Sequence, residues 1–175
     1  MPLDLQPTLE NELVILRPLK ESDYSSLYAV ASDPLIWSQH PSPDRYKEEN
    51  FKEFFRDAIH SKGAFISIDK ATKQVIGSTR FRMSNSVGNA VEIGWTFLSR
   101  SYWGGQYNGS IKRLMISHAF ESLDEVVFRI GKDNIRSQKA VEKIGGKRLE
   151  NDEFRKYYEE DPERVAYIIR KEEWV

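Results

Sequence analysis

The sequence predicts a single α/β domain, a mixed sheet with helices on both of its faces. Three observations carry this. Runs rich in β-branched and aromatic residues alternate with runs whose apolar residues recur at helical spacing, in the order β α α β β β α β α β β. A length of 175 residues suffices for one domain with a real core and is short for two ordinary ones. A content of 39% hydrophobic and 30% charged residues is that of a globular chain, and no repeat or low-complexity tract interrupts it.

Met1 to Glu10 reads as a loosely held lead-in. Glu12 to Arg17 is apolar enough for a short strand, which Pro18 stops. Glu21 or Ser22 opens a helix with Tyr24, Leu27, Tyr28 and Ala31 on one face. Asp33-Pro34 ends it, because the residue before proline is pushed out of the helical region. Leu35 to Tyr46 is a loop holding Trp37, His40 and Tyr46. A second helix over Lys47 to Ser61 buries Phe51, Phe54, Phe55, Ala58 and Ile59, with Gly63 as its C-terminal cap. Ala64–Asp69 and Gln74–Met83 form a hairpin, and Ser84–Asn89 is a further turn.

Ala90–Phe97 is the central strand. A glycine-containing turn from Ser101 to Gly109 leads into a helix over Ser110–Leu123. Its expected stripe is Ile111, Leu114, Met115, His118 and Ala119, with Lys112, Arg113 and Ser117 off it. Val126–Gly131 is a strand, and Asn134 caps a short helix over Ser137, Ala140, Val141 and Ile144. Gly145-Gly146 ends that helix, and Lys147–Arg155 and Arg164–Lys171 are the last two strands.

Composition also excludes. A net charge of −1 demands no basic face, so nucleic acid is not an expected partner. Without cysteine there is no disulfide, no thiol nucleophile and no thiolate metal site, which fits a reducing, cytoplasmic setting. His40, His60 and His118 are scattered and lack zinc-site spacing, so no metal is expected. No apolar run is long enough for a signal peptide or a membrane span.

A strand, a Gly-Gly turn and a helix in succession make a device for holding an anion. The first turn of a helix has N–H groups without partners inside the helix, at the positive end of its macrodipole. A phosphate placed there is satisfied by both. Gly104-Gly105 lets the backbone come close to such a ligand. The same turn also serves as a plain connection.

Flanking residues add a resemblance. Glu92-Ile93-Gly94-Trp95, then Tyr102-Trp103-Gly104-Gly105-Gln106-Tyr107, then a helix ending His118-Ala119-Phe120, resembles the acetyl-CoA-binding core of the GNAT family of N-acetyltransferases. It is most similar to the RimJ/RimL-like branch, which acetylates ribosomal-protein N-termini. Asn134-Ile135-Arg136-Ser137 followed by Glu142-Lys143-Ile144-Gly145-Gly146 is similar to that family's next motif, and Leu16-Arg17-Pro18-Leu19 with Asp23 to its opening. The resemblance implies a GNAT-like, mostly antiparallel mixed sheet in one domain over residues 1–175. The chain departs from the family's loop pattern at Trp103, at Gln106, which replaces a glycine, and at Asn108, which replaces a small residue.

By this resemblance, acetyl moves from acetyl-CoA to a primary amine, a protein N-terminus or a small amine, by direct attack. Phe97 and Leu98 would offer backbone groups to the pantetheine arm. Trp103, Gly104, Gly105, Gln106, Tyr107, Asn108, Gly109 and Ser110 would surround the pyrophosphate, with Asn134 and Ser137 on the other side. Trp37, His40 and Tyr46 would form the acceptor wall. Arg136 and Lys139 would approach the nucleotide phosphates or stand as solvated helix charges. Some of the other positions have plainer readings: Asn134 as a helix cap, Trp37 as a core anchor, Tyr107 as a packed ring. Glu92 is the candidate base, since a carboxylate midway along a central strand is costly to bury without a partner or a job. Its other reading is an ion pair with Arg80 or Arg82. The expected assembly is a monomer or homodimer. The competing function is a non-catalytic acyl-CoA-binding protein that kept the fold.

Overall fold

A computed structural model of the protein describes residues 1–86 and 88–175; of the turn expected over Ser84–Asn89, Val87 lies outside the described residues. An eight-stranded sheet runs in the order β1-β2-β3-β4-β5-β6-β8-β7. Its strands are β1 (Leu9–Glu10), β2 (Val14–Pro18), β3 (Ala64–Asp69), β4 (Val75–Met83), β5 (Ala90–Leu98), β6 (Glu125–Gly131), β7 (Lys147–Leu149) and β8 (Arg164–Arg170). Neighbours are antiparallel except β5 and β6, which are parallel. The helices are α1 (Tyr24–Ala31), α2 (Glu48–Ser61), α3 (Tyr107–Ala119), α4 (Ile135–Lys143) and α5 (Asn151–Tyr157).

Strand alternation divides the core between the two faces of the sheet. Val91 and Ile93 of β5, Val126 and Phe128 of β6, and Val165, Tyr167 and Ile169 of β8 meet Ile111, Met115 and Ala119 of α3 and Val141 of α4. On the opposite face, Ile66 and Phe97 meet Leu27 of α1 and Phe51, Phe54 and Phe55 of α2. On that same face Val127, Ala166 and Ile168 meet Tyr157 and Tyr158 at the end of α5. The aromatic stripe of α2 is therefore core, as its periodicity predicts.

Several expectations change. The helix expected from Ser110 begins at Tyr107, so Asn108, Gly109 and Ser110 lie in its first turn. Its buried stripe is Ile111, Lys112, Met115, Ile116 and Ala119, while Leu114 is half-buried. Lys112 thus sits on the buried face rather than off it. The strand expected over Lys147–Arg155 is only β7; a left-handed Asn151, at φ 51°, turns the chain into α5. Phe154, Tyr157 and Tyr158 recur at helical spacing and cover the α5 face of the sheet.

Gly63 does not cap α2. Lys62, at φ 51°, takes the left-handed position, and Gly63 is required because a Cβ there would stand 2.2 Å from the Phe81 carbonyl oxygen. Within the Leu35–Tyr46 loop, Pro34–Trp37 forms a 3₁₀ turn capped by Asp33. The N-terminal lead-in is tied down: Gln6 Nε2 donates to the Ala64 carbonyl at 2.9 Å, and Leu3 and Leu5 pack on the core.

Candidate active site

β5 and β6 pair only from Ala90–Glu92 to Glu125–Val127. Beyond this β6 continues against β8 to Gly131, and β5 continues against β4 to Leu98. The two parallel strands therefore diverge and leave a wedge whose β5 edge makes no ladder bonds to β6. A bulge lies beside it. Ser78 pairs with Phe97 but Arg80 with Gly94, so two β5 residues oppose Thr79 alone. Trp95 takes φ 53°, an uncommon conformation for a large residue.

The bulge re-aims side chains. Without it Trp95 would share a face with Ile93; instead Trp95 and Phe97 both pack with the α1–α2 cluster. Thr96 turns to the α3 face, where its hydroxyl lies 2.9 Å from that of Thr79 and accepts from Lys112 Nζ at 2.5 Å.

α3 opens at the mouth of the wedge. Its first i→i−4 bond runs from Ser110 N–H to the Gln106 carbonyl, so the N–H groups of Tyr107, Asn108 and Gly109 have no partner inside the helix. Gln106, at the N-cap, makes no side-chain cap. Gly104 has φ +71°, and a Cβ built on Gly104, Gly105 or Gly109 would meet nothing within 4 Å. These residues fit a phosphate group: open backbone, unpaired donors and the positive end of a helix.

On the other face of β5, Glu92 is buried and directly opposite Arg82. Its Oε2 accepts from Arg82 Nη2 at 2.5 Å. Its Oε1 lies over Gly94, 3.7 Å from where a Cβ would be, past the last β5–β6 pair. The Tyr158 hydroxyl is buried nearby without a well-formed hydrogen bond. Burial, and then the charge of Glu92, push that phenol well above its ordinary range.

Residues 14–147 match the family model described as the acetyltransferase (GNAT) domain. The chain belongs to the GNAT acetyltransferase family. It is accordingly an acyl-CoA-dependent acyltransferase. A probable GNAT-family acetyltransferase from Chromobacterium violaceum shares the fold at TM-score 0.79 and 18% identity, over 99% of this chain and 89% of that one. A GNAT-family acetyltransferase from Bacillus anthracis does so at TM-score 0.74 and 17% identity, over 95% and 99%. RimJ from Mycobacterium smegmatis, solved in complex with CoA-disulfide, does so at TM-score 0.67 and 15% identity, over 95% and 87%. No curated protein matches the sequence.

Within the GNAT frame the site residues expected from sequence separate into two groups. Gly104, Gly105, Gln106, Asn108 and Gly109 form the open turn and the first turn of α3, while the Phe97 ring is buried in the α1–α2 cluster. Gln106 has φ −92°, so the backbone there needs no glycine, and the departure from the family pattern costs no strain. The others carry structural bonds. Trp103 Nε1 donates to the Leu98 carbonyl at 2.9 Å, which occupies one lone pair of a group expected to face pantetheine. Tyr107 donates to Asp69 Oδ1 at 2.9 Å, and Ser110 Oγ accepts from Asn11 Nδ2. Asn134 Oδ1 accepts from Ser137 N–H at 3.3 Å as a helix cap.

Arg136 is half-buried and held in place rather than a free helix charge. Its guanidinium lies 3.8 Å above the Trp103 ring and donates to the Ile36 carbonyl at 3.0 Å. Trp37 is buried in the core, its indole donating to the Ala31 carbonyl at 2.8 Å and its ring 5.0 Å from that of Phe97. His40 accepts from Ser42 N–H through Nδ1, and burial holds its pKa down at about 3. Tyr46 offers its carbonyl to Tyr28, at the base of the same loop. The loop crosses toward β6, where Gly131 has no Cβ and Pro41 takes the space.

Sequence reasoning missed Lys112, whose ammonium is buried beside Thr96 and 6.0 Å from the Phe128 ring, with its pKa lowered to about 7 by burial. The signal was available, since 111, 112, 115, 116 and 119 form a tighter helical stripe than the one read. Tyr158, buried Arg80 and half-buried Arg45 left no such signal, because their neighbours are remote in sequence.

Proposed function

We propose that the protein is an N-acetyltransferase that moves acetyl from acetyl-CoA to a primary amine by direct attack, working as one domain over residues 1–175. The carrying observation is the β5–β6 wedge with the unpaired N–H groups of α3 at its mouth. The thioester arm would lie along β5 at Phe97 and Leu98, with the pyrophosphate at Gly104–Gly109. The acceptor would approach from the Glu92 face, past His40 and Tyr46, with Trp37 buried behind them as a core anchor. The amine nitrogen bonds to the acyl carbon as the carbon–sulfur bond breaks, and one proton leaves the amine as one reaches the departing sulfur.

Glu92 Oε1, over Gly94, would take the amine's proton through a water, while Arg82 holds the carboxylate in place. The buried Tyr158 hydroxyl would supply the proton to sulfur; with its pKa raised by burial it stays protonated at neutral pH. The RimJ/RimL-like placing rests on the sequence motifs and implies a protein N-terminus as acceptor. Incubation with acetyl-CoA, amines and peptides, following free thiol and product mass, tests the reading. Thiol release with an acetylated amine is the expected result. Tight acetyl-CoA binding with no acetylated product from any amine would favour the non-catalytic reading.

A further inference from the structure

Arg80 stands opposite Gly94, on the Glu92 face of β5. Its residue exposure is only 6%, and its Nε and Nη2 are buried without an acceptor. Aromatic faces surround it, Trp95 at 4.5 Å and Phe54 at 5.6 Å from Cζ. Arg45 approaches the same Phe54 ring, its Cζ at 4.5 Å. Among the described residues its guanidinium has one side-chain neighbour at hydrogen-bond range, His40 Nε2 at 3.5 Å. Nδ1 of that histidine already accepts from Ser42, so the neutral ring carries its proton on Nε2 and offers Arg45 no lone pair. Both guanidiniums, lowered to about 10 by burial, remain charged at neutral pH.

Neither has an ion-pair partner among the described residues. Glu92, the nearest buried acid, is held by Arg82; Asp57 acts on Arg80 through its charge alone. Arg164, whose charge also bears on Arg45 and His40, is met by Asp161 at 3.8 Å. Burying the Arg80 guanidinium without acceptors is costly, and a second cation, half-exposed Arg45, beside the same ring raises the cost. The cluster borders Phe97, where the acceptor amine must meet the thioester: Phe54 lies 5.9 Å from that ring.

We propose that the acceptor amine carries a carboxylate, bound between Arg45 and Arg80 beside Phe54. This rests on the N-acetyltransferase reading and names its substrate class. Trp95 and Phe54 keep water from the Arg80 guanidinium, while half-exposed Arg45 stands at the open side of the same Phe54 ring; a carboxylate takes two N–H donors from a planar fork. The cations would thus orient the acceptor with its amine toward Gly94.

Matched acceptors that differ only in a carboxylate test this: tyrosine against tyramine, and a peptide beginning with Asp against one beginning with Asn. The expected result is a kcat/KM higher by roughly ten- to a hundredfold for the charged member of at least one pair. The first pair reports a free amino acid and the second an acidic peptide end. Arg80→Met should bring that ratio close to one without lowering Tm, since it removes a charge that the protein itself leaves unpaired. N-acetyltyrosine should bind more tightly than N-acetyltyramine by calorimetry, a readout independent of turnover. Equal kcat/KM within both pairs would overturn the inference while leaving the N-acetyltransferase reading intact. So would a lowered Tm in Arg80→Met with the ratio unchanged. Failure to bind acetyl-CoA or acetylate any amine would remove both.

Discussion

Glu92 divides its carboxylate between two neighbours: Oε2 on Arg82, Oε1 over Gly94 at the wedge. The two readings of this residue are therefore compatible, and one variant separates their weights. Glu92→Gln keeps the shape and removes the basicity. As a base, Glu92 accounts for a fall in kcat of ~10²–10⁴ in that variant, with acetyl-CoA affinity retained. As a strut only, its loss lowers Tm while turnover per folded molecule survives, and that result would withdraw the catalytic role. Lys112 makes a second prediction. Burial lowers its pKa from 10.5 to about 7 in the folded protein. The unfolded chain then holds more protons between those values, so stability rises with pH from about 7 to 10.5 and is penalised below. Lys112→Met should stabilise the protein at pH 6 by on the order of a few kcal/mol and flatten that rise. Denaturant titrations at several pH values measure both; a parallel fall at every pH would mean that the Thr96 contact outweighs desolvation.

Among the elements, α3 does two jobs with two ends. Its body packs through residues at i, i+4 and i+8, and its first turn faces the wedge with open N–H groups. Ile116→Ala should cost ~2–5 kcal/mol in chemical denaturation, because that side chain is fully buried. Leu114→Ala should cost clearly less, since Leu114 is half-buried. Gly105→Asp places a negative charge where phosphate oxygens would lie and should weaken acetyl-CoA at least tenfold by calorimetry. Unaltered affinity would move the pyrophosphate away from this turn. The β5 bulge is the other decisive element, since it brings Trp95 to the α1–α2 face and Thr96 to Lys112. Strict alternation along Ala90–Phe97 cannot foresee it. A bulge is a mismatch with the neighbouring strand, so it exists only in the register between β5 and β4.

For the molecule as a whole, the wedge is a consequence of one parallel pair within an otherwise antiparallel sheet. β6 follows β8 and β5 follows β4, so the strands separate where their pairing ends. A thioester ligand seated there binds only the folded form, so acetyl-CoA at a hundred times its Kd should stabilise the protein by about 2.7 kcal/mol. No shift of Tm at millimolar acetyl-CoA would count against the site.

Local patterns in the chain determined most of the elements, the α2 core stripe, the turn before α3 and the family motifs, because each is written in neighbouring residues. Periodicity sets helix and strand, and glycine and proline set the breaks. Even α5 had a helical stripe in Phe154, Tyr157 and Tyr158, masked by its short length and by a charged neighbourhood. Only the tertiary structure decided which of Arg80 and Arg82 meets Glu92, that Lys112 is buried, that Arg136 clamps Trp103 and Ile36, and that two arginines share Phe54 without a carboxylate. Those facts depend on strand register and on a loop crossing from β5 toward β6. Register and crossing arise from contacts between segments far apart in the chain, where no local spacing records who will meet whom.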